Sequence, residues 1–201
     1  MIILECDQNT PEWDMARLGI PTASRFKDII TTKGERAKPR KKYLYDLVGE
    51  VISGEKKRGY YGSSMAKGHE RENESREVYS FANEVEIKQV GFCYYDESKS
   101  FGCSPDGLIG EEGGFETKNA EPHIQAERID AGWSENTHFQ QVQGSLLVTG
   151  CKWWDLVSYS RGFRPIVIRF RRDDEFIKLL HAEINIFNKD LENLIKEVKG
   201  E

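Results

Sequence analysis

Between residues 41 and 53 the apolar side chains Leu44, Leu47, Val48, Val51 and Ile52 recur three and four positions apart. This spacing predicts a helix with one buried face, and Gly54 follows where a left-handed cap closes such a helix. A shorter helix is expected over residues 22–30, opened by Thr22 as a capping residue. After the loop Gly59-Tyr60-Tyr61-Gly62, residues 64–83 read as a polar helix. Alternation over 85–95 predicts a strand, which 101–109 and 115–119 join as the centre of a mixed sheet. Two helices, 122–131 and 135–148, are followed by strands at 152–160 and 165–171 around the turn Arg161-Gly162-Phe163. Residues 173–198 form the longest helical pattern, with Phe176, Leu180, Ile184, Phe187, Leu191 and Ile195 on a stripe suited to core packing. This order predicts an α/β (α+β) fold, a central mixed β-sheet flanked by helices.

The 201 residues suit a single domain, 1–201, long enough to bury a proper core. No apolar run approaches the ~20 residues of a membrane span. The opening Met1-Ile2-Ile3-Leu4-Glu5 lacks the basic region of a signal peptide, so a cytoplasmic protein is expected. The four cysteines, Cys6, Cys93, Cys103 and Cys151, are scattered without a CxxC pair, and the four histidines show no zinc-ligand spacing. A net charge of −5 disfavours a general nucleic-acid coat protein. Basic residues nevertheless gather at 33–42, at 56–58 and at 161–172, which suggests contacts to a phosphate backbone.

Chemistry concentrates in Ser104-Pro105-Asp106-Gly107, followed ten residues after the aspartate by Glu116-Thr117-Lys118. The intervening segment reads as a strand end, a glycine-rich turn and a return strand, which brings Asp106 and Glu116 together. Carboxylate oxygens are the ligands a hard cation such as magnesium prefers. Side chains alternate along a strand, so Glu116 and Lys118 share a face while Thr117 points away and offers its backbone carbonyl. Lys118 is then placed to orient or deprotonate an attacking water. The pattern is that of a PD-(D/E)xK nuclease, although an ordinary surface hairpin carrying a Glu/Lys pair has the same letters.

Further motifs narrow the choice. Arg17-Leu18-Gly19-Ile20-Pro21-Thr22-Ala23-Ser24, Gly68-His69-Glu70-Arg71-Glu72-Asn73, Cys103-Ser104-Pro105-Asp106-Gly107-Leu108, Glu116-Thr117-Lys118 and Gln140-Gln141-Val142-Gln143 occur in that order. Together they resemble the family of lambda exonuclease and its viral recombinase relatives. Thr117 departs from it, standing where an aliphatic residue is usual, and Asn119-Ala120 replaces a frequent Cys-Pro.

The resemblance implies a magnesium-dependent 5′→3′ exonuclease on double-stranded DNA ends. It would release 5′-mononucleotides and leave 3′ overhangs for a single-strand annealing protein. It also implies two Mg2+ ions per site, with Mn2+ substituting, held by Asp106, Glu116, the Thr117 carbonyl and Glu72. Lys118 would act beside them, and Arg17, Ser24, Ser104 and Gln141 would hold a terminal 5′-phosphate. Met65 would wedge apart the terminal base pairs, and a homotrimeric ring would enclose the duplex. Trp13 is read as a core residue. The competing readings are another PD-(D/E)xK nuclease, either structure-selective or of the iron–sulfur and RecB-like kinds, and an inactive DNA-end-binding protein on the same fold. The scattered cysteines count against an iron–sulfur cluster.

Overall fold

Proline at position 105 interrupts the strand expected over 101–109, because it has no N–H to keep a ladder going. The chain leaves one sheet there and enters another. The computed structural model describes the backbone of residues 1–56 and 63–201, and the side chains of residues 1–56 and 71–201. In it β1 (Ile2–Leu4), β2 (Phe92–Tyr94) and β3 (Gly102–Cys103) form an antiparallel sheet in the order β1-β2-β3. The four remaining strands, β4 (Gly107–Ile109), β5 (Gly113–Asn119), β6 (Trp153–Tyr159) and β7 (Ile166–Arg171), form a mixed sheet in chain order. Its pairings are antiparallel, parallel and antiparallel. Asp106 therefore lies at the junction of two sheets, whereas the sequence suggested one continuous strand.

The segment 85–95 divides in the same way. Lys88 bridges to Leu108 of the second sheet, while Phe92–Tyr94 pair in the first, so only the latter three form a strand. The crossing point is Gly91, where a Cβ would stand 2.3 Å from the Cys6 carbonyl oxygen. The glycines of the 109–113 connection also have separate duties. Gly110 turns the chain with φ 56°, whereas Gly114 already belongs to β5, under the Trp154 ring, where an added Cβ would come within 2.0 Å.

The helices are α1 (Pro11–Ala16), α2 (Arg40–Ser53), α3 (Ser63–Asn83), α4 (Pro122–Ala131), α5 (Phe139–Thr149) and α6 (Asp174–Lys199). The short α1 is absent from the sequence reading, although Thr10 caps it by accepting from the Trp13 N–H and Pro11 opens its first turn. Residues 23–28 and 135–138 are 3₁₀ turns. Gly54 closes α2 with φ 69°, as expected.

The main core includes Phe26, Leu47, Leu146, Trp154, Leu156, Leu180 and Phe187, drawn from the 23–28 turn, α2, α5, α6 and the second sheet. Tyr79, Ile109, Phe115 and Val157 form a smaller cluster under α3. Strand β5 is thus covered on both sides. Phe115 and Thr117 face α3, and Glu116 faces α5. The expected fold class is the one found, with helices flanking the sheets.

Many of the basic residues brace the fold. Arg36 and Arg40 pair with Glu183 and Asp190 of α6, Arg161 forks onto Glu74, and Arg169 onto the buried Asp155. Lys56 pairs with Glu50 and Arg172 with Asp174. These runs carry part of their charge into intramolecular pairs. Lys57 and Arg58 lie outside the described residues.

Candidate active site

Asp106 follows Pro105 in the loop between the sheets, and its main chain is tied from two sides. Gln8 Nε2 donates to the Pro105 carbonyl at 2.8 Å and to Val90 O at 3.0 Å. Arg76 Nε donates to the Asp106 carbonyl at 3.1 Å. The Asp106 carboxylate accepts the Thr117 N–H at 2.7 Å, which docks it on the central strand beside Glu116. Burial and then the neighbouring Glu116 charge push the Asp106 carboxyl well above the usual carboxylate range, against the opposing pull of Lys118 and the Thr117 N–H. Glu72, half-buried on α3, adds to the same repulsion.

Glu116 is buried and its Oε1 accepts from Lys118 Nζ at 2.8 Å and from Gln141 Nε2 at 2.7 Å. Burial works against the Lys118 charge, but Glu116 and then Asp106 outweigh it and push the lysine pKa up. The charges of the chain itself therefore hold the lysine as an ammonium. The Thr117 side chain points away, as alternation requires, and its hydroxyl meets Ser75 of α3 at 2.7 Å. In a strand a residue's N–H and C=O point to the same edge. Since the Thr117 N–H faces Asp106 beyond the end of β4, its carbonyl faces that edge as well.

This donor set suits a hard divalent cation: two crowded carboxylates, a strand carbonyl on the same edge, and Glu72 across a shared cavity. Among the described residues, no group of three or more His, Cys, Asp or Glu side chains converges at ligand spacing. Asp106 and Glu116 are thus the candidate ligand pair, and Glu72 lines the same cavity as Asp106.

Two cavities meet here. One of about 500 Å³ is lined by Glu72, Asn73, Arg76 and Asp106, together with Gln8. The other, about 190 Å³, is lined by Arg17, Ser24, Ser104, Glu116, Lys118 and Gln141, again with Gln8 and with Trp13. All four residues assigned to a terminal phosphate therefore share one recess with two of the catalytic candidates. Met65 lies on α3, outside the residues whose side chains are described.

Within the smaller cavity the Arg17 guanidinium stacks 3.6 Å from the Trp13 ring centre, and its buried Nε has no hydrogen-bond partner among the described residues. Burial pushes the guanidinium pKa down, with Asp14 the largest opposing influence. A buried arginine with an unused donor is set up for an anion. Trp13 Nε1 donates to Ser104 Oγ at 2.9 Å and to Gly91 O at 3.1 Å, so one indole fixes both Arg17 and Ser104. Trp13 is thus a half-buried wall of the recess and, contrary to the reading of it as a core residue, belongs to neither of the two core clusters among the described residues. Trp13 and Arg17 are four apart around the short α1, which Arg17 caps, so the pairing could be read only once that turn was recognised from Thr10 and Pro11. Gln8 gave no such signal, because its role depends on the two sheets meeting.

The loop bearing Arg17 is held from behind. Lys56 Nζ donates to Arg17 O at 3.0 Å and to Glu50 Oε2 at 2.7 Å, and the same carboxylate accepts the Gly19 N–H at 3.1 Å. Gln141 spends one amide hydrogen on Glu116, so it braces that carboxylate while lining the recess. Ser24 is exposed at the rim, 3.4 Å from the Thr22 hydroxyl.

Residues 12–152 match the family model described as a YqaJ-like viral recombinase domain, a span that includes all five motifs. No curated protein matches the chain by sequence. Among solved structures, an alkaline exonuclease from Laribacter hongkongensis is 31% identical, with 94% of this chain and 96% of that chain covered and a TM-score of 0.83. Its complex with dAMP aligns with a TM-score of 0.84. A phage related exonuclease from Haemophilus somnus 129PT shares the fold at 15% identity and a TM-score of 0.65, over 89% of this chain and 96% of that one.

Proposed function

The chain belongs to the YqaJ-like viral recombinase family and is a nuclease, and we propose that it is a magnesium-dependent 5′→3′ exonuclease acting on double-stranded DNA ends. The observation that carries this reading is the recess in which Arg17 and Ser104 stand beside Glu116 and Lys118. An anion pocket contiguous with the catalytic strand favours cleavage at a phosphorylated end over cleavage at an internal site. The relative from Laribacter hongkongensis was solved with dAMP, a nucleoside monophosphate of the kind such cleavage would release.

Asp106, Glu116 and the Thr117 carbonyl would hold one Mg2+ and Glu72 would face a second, with Mn2+ as a substitute. Bound there, divalent ions supply an activated water and neutralise charge on the attacking and leaving oxygens. The chain's own groups do the rest. Lys118, held at 2.8 Å by Glu116, can orient a water or a phosphoryl oxygen by hydrogen bonding. Gln141 holds Glu116 in place, and the Arg17 guanidinium fastens the strand end by a charged contact.

The test is digestion of linear duplexes with 5′-phosphate or 5′-hydroxyl ends, in Mg2+ or EDTA, with a closed circle as control. Expected is magnesium-dependent release of 5′-mononucleotides from the phosphorylated linear substrate, with the circle untouched. Cutting of the circle would establish an endonuclease, and binding without cleavage an inactive end-binding protein.

The products, 3′ overhangs, suit a single-strand annealing protein as partner. A homotrimeric ring would retain the enzyme on the duplex, in the cytoplasm of a bacterial host of phage or prophage. No described helix is long and apolar enough to cross a membrane. Light scattering is expected to give a trimer mass, and digestion to continue when excess unlabelled duplex is added. A monomer mass with prompt capture by the competitor would remove the ring and leave the nuclease reading standing.

A further inference from the structure

Asp106 and Glu72 reach their shared cavity from different parts of the fold, one from the loop between the sheets and the other from α3. Their separation depends on whatever joins these two parts. Arg76, one turn after Glu72 on α3, does so directly. Its Nε donates to the Asp106 carbonyl at 3.1 Å, and Nη1 donates to Asn73 Oδ1 at 2.9 Å. The Gln89 amide, oriented with its oxygen toward the guanidinium, accepts from Nη1 at 2.6 Å and Nη2 at 3.0 Å. All three guanidinium nitrogens are thus committed to the chain, which leaves Arg76 in the cavity wall as a latch. The Ser75–Thr117 hydroxyl contact anchors the adjacent helical position to the catalytic strand.

We propose that Arg76 is a positioning residue that locks the Asp106 main chain to the Glu72 helix and so sets the spacing of the two carboxylates for a divalent cation. This rests on the reading of Asp106 and Glu72 as cation ligands.

Geometry and charge make opposite predictions for its removal. Arg76 is a cation whose charge acts on both Asp106 and Glu72. If it mattered only through charge, replacing it would strengthen the attraction of the carboxylates for a metal ion. If it sets their spacing, replacing it weakens binding, and outer-shell partners of metal ligands are typically worth roughly ten- to a hundredfold in affinity. Lysine keeps the charge but cannot form the fork.

The experiment is calorimetric titration of Mn2+ into the parent protein and the variants Arg76→Met, Arg76→Lys, Asp106→Asn and Arg71→Met, each confirmed folded by circular dichroism. Arg71 is the control for charge loss on the same helix, since its Nη1 pairs with Glu121 at 2.9 Å. Expected is about a tenfold or greater rise in the Mn2+ dissociation constant for both Arg76 variants, with Arg71→Met like the parent. Unchanged or tighter Mn2+ binding in both Arg76 variants, with binding lost in Asp106→Asn, would overturn the latch alone. Parent-like binding in Asp106→Asn would instead overturn the ligand reading on which the latch rests. If Arg76→Met does not fold, Arg76→Lys alone gives the decision.

Discussion

Asp106→Asn is expected to lose DNA cleavage by about a thousandfold or more while keeping, or slightly raising, its thermal midpoint in EDTA. A thousandfold corresponds to ~4 kcal/mol of transition-state stabilisation, which is in the range a correctly held metal ion supplies. Asparagine is nearly the same shape and its side-chain carbonyl can still accept the Thr117 N–H that Asp106 now accepts at 2.7 Å. The stability expectation follows from the sign of the pKa shift. The Asp106 carboxyl is pushed up by burial and by Glu116. A group whose folded pKa lies above its unfolded one binds protons more readily when folded, so its ionisation costs stability at any pH above the shifted value. The neutral amide removes that cost. The parent should gain thermal stability on adding Mg2+, because a ligand that binds only the folded chain stabilises it, and the variant should not. Parent-like turnover in Asp106→Asn would displace the catalytic assignment. A large drop of its midpoint in EDTA would mean that the carboxylate is structural.

The letters around Asp106 were informative because their chemistry is local. An aspartate ahead of a glycine-rich turn, and Glu116 and Lys118 two apart on the return strand, can each be read without knowing the partner elements, whereas the break at Pro105 within the strand expected over 101–109 was not. The long helices were legible for the same reason, since the periodic stripe of α6 and the glycine cap of α2 are properties of their own segments. What stayed hidden depends on contacts between distant segments. The strand expected over 85–95 shrank to Phe92–Tyr94 because the chain changes sheets at Gly91, and nothing in its alternation marks that crossing. Nor does the sequence mark Glu183, Asp190, Glu74 and Asp155 as the carboxylates that part of the basic clusters pair with. Gln8 and Arg76 hold Asp106 through backbone carbonyls, a kind of contact that leaves no pattern in side-chain type.

Arg17→Ala should abolish most of the preference for phosphorylated over hydroxyl 5′ ends while leaving cleavage of hydroxyl-ended duplex close to parental. Arg17 lines the recess with Glu116 and Lys118 but is stacked on Trp13, away from the carboxylates' own hydrogen bonds. Its buried Nε has no acceptor among the described residues, so a phosphate oxygen would be a partner gained and not one exchanged. Charged hydrogen bonds of this kind contribute about 1.5–3 kcal/mol, or roughly a tenfold to hundredfold effect on phosphorylated ends. The companion variant Trp13→Phe separates the two supports. It keeps an aromatic face under the guanidinium but loses the indole donor to Ser104, so end discrimination should fall by less than in Arg17→Ala. The measurement is kcat/KM on matched 5′-phosphate and 5′-hydroxyl duplexes for the parent and both variants. If Arg17→Ala still separates the two ends as well as the parent does, the end pocket lies elsewhere. If both substrates lose rate equally, Arg17 supports the catalytic strand in general and does not read the phosphate.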